Sequence, residues 1–168
     1  MKRINNSASA VYLIFVLAAF LWSTPVVAQE YPALQNLESI KAVFDVRSGD
    51  PKNVFEHLYL LNETFKDHAL RSVDSEPEFA VVFMDKSVTL LSKNRENFSA
   101  GEKEMLQKAD QLMAAMTESG IILEVCLAAV DYYKVDASSI AENISRVPNG
   151  WISSIGYQTK GYSLVPVY

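Results

Sequence analysis

Two hydrophobic periods alternate along the chain. Residues 41–48, "KAVFDVRS", are rich in Val and Phe and read as a strand. "GDP" at 49–51 is a turn with proline placed to begin a helix. From residue 52 to about 67 the period lengthens: Val54, Phe55, Leu58, Leu61 and Phe65 recur at helical spacing. "EFAVVFM" at 78–84 is continuously apolar, as suits a strand covered on both faces in a parallel sheet. Residues 87–98 hold neither period and read as a short helix or a long edge loop. A helix then starts at Ser99, with Glu102 three residues on to complete a capping box. Its apolar face is Met105, Leu106, Ala109, Leu112, Met113 and Met116, and Gly120 closes it.

The second half repeats the alternation. "IILEVC", 121–126, is a strand, and "LAAVDYYK", 127–134, a helix. Asp136 caps a further short helix. "SRVP", 145–148, is a brief strand. Asn149 caps a helix over 150–160 that Gly161 ends. "YSLVPV", 162–167, is a last strand, placed at an edge by Pro166. Residues 29–39 are an irregular lead-in. Five strands alternating with helices predict one α/β domain over 29–168. It is a three-layer, mostly parallel five-stranded sheet with helices on both faces and right-handed crossovers.

The first residues follow another logic. "MKR" is a basic start, residues 11–22, "VYLIFVLAAFLW", are an apolar run, and "VVA" at 26–28 is a small-residue cleavage pattern. The run is short for a membrane span, which needs about 20 residues, and Ser23, Thr24 and Pro25 interrupt it. We therefore expect 1–28 to be a signal peptide cleaved after Ala28, a periplasmic product, and no membrane association after cleavage. A lipid anchor is not expected, because no cysteine stands near the cleavage point.

Hydrophobic residues make up 49% of the sequence, enough for a sizeable core. The net charge of −5 provides no basic footprint, so nucleic acid is not an expected partner. Cys126 is the only cysteine, so no internal disulfide forms; an odd cysteine in an exported protein is a free thiol or an intermolecular link. The plain alternative is a small apolar filler.

Parallel strands share a carboxyl edge, where ligands bind. Cys126 ends a strand and precedes a helix, whose N–H groups and dipole favour a thiolate. The neighbouring strand ends offer Arg47, Ser48 and Asp50, then Asp85 and Lys86, then Pro148, Asn149 and Trp151. Arg47 or Lys86 would favour a thiolate and Asp85 would oppose it. Trp151 either roofs a pocket or packs on its helix. His57 and His68, both read as lying on the first helix, are eleven residues and about 16 Å apart along its axis, too far to share a metal. No histidine stands beside Cys126 as general base, and "SGDP" is no phosphate loop.

Three segments together resemble the DsrE/DsrF-like proteins of bacterial sulfur metabolism, in their exported single-domain branch. They are "GIILEVCLAA" at 120–129, "RVPNGWISSIGYQTKGYSLVPV" at 146–167 and "FAVVFMDKSVTLL" at 79–91. The resemblance runs from about residue 43 to 167. It implies a flavodoxin-like α/β fold and homo-oligomers of three or six subunits. It also implies that Cys126 accepts sulfane sulfur as a persulfide and passes it on, in a sulfur relay between donor and acceptor proteins. Arg47, Ser48, Asp85, Lys86, Asn149 and Trp151 would surround that substrate. If active, such a protein is a carrier or accessory sulfurtransferase without metal or organic cofactor. Many exported relatives have glycine, often after histidine, where this chain has Met84 and Asp85. The alternative is a non-catalytic oligomeric binding or assembly module with a structural cysteine.

Overall fold

Every neighbouring pair in the sheet is parallel, in the order β4-β3-β2-β1-β5. The computed structural model describes residues 31–74 and 76–168. The segment read as a signal peptide, 1–28, lies outside the described residues. The strands are β1 (Lys41–Val46), β2 (Glu78–Phe83), β3 (Ile122–Cys126), β4 (Ser145–Val147) and β5 (Ser163–Val167). The helices are α1 (Pro51–Lys66), α2 (His68–Val73), α3 (Ala100–Glu118), α4 (Leu127–Tyr132) and α5 (Gly150–Thr159). No helix among the described residues is long and apolar enough to cross a membrane.

Capping chemistry sets the helix ends. The Asp50 carboxylate accepts the Asn53 N–H at 2.7 Å, with Pro51 at the first helical position. Ser99 and Glu102 make the reciprocal capping box of α3. The residues at 67 and 68 depart from expectation. Asp67 is extended (ψ 132°), ends α1, and turns its carboxylate to the Ala69 N–H, which starts α2. His57 and His68 therefore stand on different helices. Within the ambiguous 87–98 stretch, a 3-10 helix over Asp85–Leu90 leads into a loop that Ser92 ties to Ile140 by an isolated bridge.

Topology explains how the two faces are covered. From β1 to β4 the chain steps one way across the sheet, so right-handed crossovers put α1, α2 and α3 on one face. There Phe79 packs tilted against Phe44 and edge-on against Phe65, with ring centres 5.1 and 5.2 Å apart, inside the main core. From β4 to β5 the chain returns the other way, and α5 covers the opposite face. That smaller core holds Val43, Ala80, Val82, Met84, Cys126 and Tyr162. Gly150 and Ser154 are the buried residues of α5, small enough to bring it close to the sheet. β5 is an edge strand, as its proline predicts. The Arg47 N–H donates to the Val167 carbonyl, so Val167 turns its polar groups to β1, and the alternation points the ring nitrogen of Pro166 outward.

Candidate functional site

Adjacent strands β3 and β4 send the chain to opposite faces. β3 runs into α4, whose Val130 packs into the main core, while β4 runs into α5 on the other face. Such a switch point leaves a crevice at the carboxyl edge. A cavity of about 580 Å³ lies there. Cys126, Arg47, Asp85, Asn149 and Trp151, five of the seven residues expected from sequence, line it together. A cavity of about 650 Å³ between α1 and the β5 edge is larger, but its lining is mainly apolar and does not include Cys126.

Cys126 is both the last residue of β3 and the N-cap of α4. It is 6% exposed, belongs to the small core, and meets the cavity at its outer end. Across from it, Gly150 opens α5 at close range: a Cβ there would stand 2.7 Å from Met84 Cγ and Sδ and 3.0 Å from Cys126 Cβ. The first turn of α4 is partly occupied, since the Ala128 N–H donates to the Pro148 carbonyl at 3.2 Å. Helix amides thus favour a thiolate less than position alone suggests.

The nearby charges are committed. Arg47 donates from Nε and Nη2 to one oxygen of Asp45, at 2.9 and 2.7 Å. This hydrogen bond is the main reason the guanidinium holds its proton more tightly than usual, and Asp85 adds to the effect. The other Asp45 oxygen, Oδ1, is buried without a partner. Asp85 sits at φ +52°, in the left-handed region where glycine is at ease and Asp is tolerated. Its Oδ1 accepts the Tyr133 hydroxyl, and this bond is the first cause of the Tyr133 pKa being pushed up to about 12.

Ser48 and Lys86 do not line the cavity. The Ser48 hydroxyl accepts the Asp50 N–H at 3.3 Å within its own turn, and the Lys86 side chain lies against Gly49. In their place the cavity gains Met84, Ala128, Ala129, Tyr132 and Tyr133. Four of these follow Cys126 along α4 and its end, and helical spacing counted from the cysteine marks Ala129, Tyr132 and Tyr133.

One row deeper on the same face, Glu124 accepts hydrogen bonds from Ser153 and from Tyr157 (2.9 Å), both on α5. Burial and then this carboxylate raise the Tyr157 pKa. The pair of bonds fixes α5, and with it Gly150 and Asn149, against the strand that carries the cysteine. The Asn149 Oδ1 accepts the Trp151 N–H at 2.9 Å, which starts α5 beside the cavity.

A protein from Aquifex aeolicus (strain VF5), described as uncharacterized, is 22% identical over 156 residues, 92% of this chain. The match spans 62% of that relative's length. Among solved structures, the protein of unknown function MTH1491 from Methanobacterium thermoautotrophicum has TM-score 0.56 at 16% identity. It covers 76% of this chain and 99% of the other, and it shares the fold. The ychN protein from E. coli matches at 14% identity and TM-score 0.47, over 79% of this chain and 100% of its own. The family profile of the DsrE/DsrF-like proteins matches residues 41–167, from the first residue of β1 to the last of β5, and the chain belongs to that family.

Proposed function

We propose that the protein carries sulfane sulfur as a persulfide on Cys126. The observation that supports this is the placement of a free thiol at a strand end, on the wall of a cavity at the sheet's switch point. In the loading step the Cys126 thiolate attacks the sulfane sulfur of a donor persulfide, R–S–SH. A new S–S bond forms and the donor's S–S bond breaks. The electron pair leaves on R–S⁻, which takes up the proton that Cys126 gave. In unloading, an acceptor thiolate attacks the terminal sulfur and Cys126 departs as thiolate. No oxidant, metal or organic cofactor enters. Arg47, Asp85, Asn149 and Trp151 shape the donor's approach. The reading includes export to the periplasm with cleavage after Ala28, and assembly into a homo-oligomer of three or six copies.

Incubation with inorganic polysulfide, followed by intact mass, tests the chemistry. Wild type is expected to gain sulfur that Cys126→Ser does not. A folded protein whose thiol resists both polysulfide and iodoacetamide overturns the relay.

One observation favours a second reading, a non-catalytic assembly module. Trp151, Ile152 and Ile155 on α5 are 64%, 68% and 62% exposed and form an apolar ridge, and a second copy of the chain is its proposed occupant. In that reading Ile152→Glu lowers the mass measured by light scattering, while Cys126→Ser changes nothing. An unchanged mass in Ile152→Glu counts against it.

A further inference from the structure

Resting on the relay reading, we propose that the Cys126 cavity takes uncharged sulfane-sulfur chains and discriminates against oxyanion donors such as thiosulfate and the polythionates. Two independent features of the cavity carry this. Its walls are soft and apolar around the sulfur: Met84, Ala128, Ala129, Tyr132 and Trp151. Thioether and aromatic edges make favourable contacts with polarisable sulfur, and of these five side chains only the Tyr132 hydroxyl and the Trp151 indole N–H could replace water around an oxyanion. Its volume, about 580 Å³, suits a low-molecular-weight donor.

The charges act in the same direction. Asp85 lines the cavity as a carboxylate. The one cation in the lining, Arg47, is turned to Asp45 through Nε and Nη2, and Asp45 keeps its second oxygen buried and unpaired. Two carboxylates thus face one guanidinium. One backbone donor at the cavity is also committed, the Ala128 N–H to the Pro148 carbonyl. An entering oxyanion meets the Asp85 carboxylate and a guanidinium already engaged by Asp45, whereas a neutral chain meets no such repulsion.

Two probes with the same electrophile separate the classes. With dimethyl trisulfide, the Cys126 thiolate attacks a sulfur of the chain, one S–S bond breaks, and the departing thiolate or hydropersulfide takes the proton. With tetrathionate, attack on an inner sulfur expels thiosulfate and leaves a thiosulfonate-capped cysteine. The second-order rate of each is followed by intact mass, with Cys126→Ser as control, and the neutral-to-anion ratio is divided by that of 2-mercaptoethanol. We expect the protein to favour the trisulfide by about tenfold beyond the free thiol, a modest share of a partly screened like-charge contact. Asp85→Asn keeps an acceptor for Tyr133 and a residue at ease at positive φ, and it should narrow the ratio about fivefold; raised salt should narrow it in wild type. A ratio equal to the free thiol's, or one that neither Asp85→Asn nor salt moves, overturns this inference and leaves the relay standing. No adduct from either donor overturns both.

Discussion

At the scale of single residues, Gly150 governs how closely α5 approaches the reactive edge. Met84 can swing its thioether away from an added methyl group, but Cys126 Cβ is fixed by its strand. Gly150→Ala should therefore destabilise the fold by about 1–3 kcal/mol, as overpacking does, read as a lower urea midpoint at unchanged slope. Strand-end positions such as Cys126, Asn149 and Asp85 were legible in sequence because a strand-like apolar run stops at each, and at Asn149 Pro148 and Gly150 also mark the turn. Tyr132 and Tyr133 were not named, although the helix read directly after Cys126 carries both at helical spacing from it, because the site was read from the loops after the other strands. Ser48 and Lys86 looked like site residues from chain position alone, yet local turn contacts hold both elsewhere.

At the scale of elements, caps and breaks decide more than hydrophobic period. The Ser99–Glu102 box was visible as a spacing, and the structure forms both of its bonds, Ser99 N–H to Glu102 Oε2 at 2.7 Å and Glu102 N–H to Ser99 Oγ at 3.4 Å. Ser99→Ala should cost about 0.5–2 kcal/mol, and Ser99→Gly only a few tenths, measured by thermal or chemical denaturation. The first helix, read to about residue 67, ends at Lys66 as expected, but His68 was placed on it and no second helix was expected over His68–Val73, because six residues are too few to show a period of their own. Asp67 turns the backbone between the two. Asp is a cap as readily as a solvated surface residue, and only its bond to the Ala69 N–H distinguishes the two.

Across the whole molecule, the amino end of the sheet is joined by groups that titrate. Lys41 contacts Glu78 at 2.5 Å, and the Tyr162 hydroxyl donates to the same carboxylate at 2.5 Å, linking β1, β2 and the start of β5. The Lys41 bond first, then Tyr162, holds Glu78 below its ordinary 4.5. That stability is present above pH 4.5 and is lost as pH falls through the lowered value. Tyr162 is pushed up to about 12 by burial and then by Glu78, so its contribution is present below pH 10 and fades as pH climbs toward 12. The urea midpoint should hold level between these ranges and fall on both sides, and Glu78→Gln should flatten the acid limb. Pro166 has a consequence on a still larger scale. Its outward ring nitrogen has no hydrogen to offer, so a stranger's backbone approaching β5 would find a carbonyl with no donor beside it. Strand addition is disfavoured on that side, and a companion seated there is held mainly by side chains.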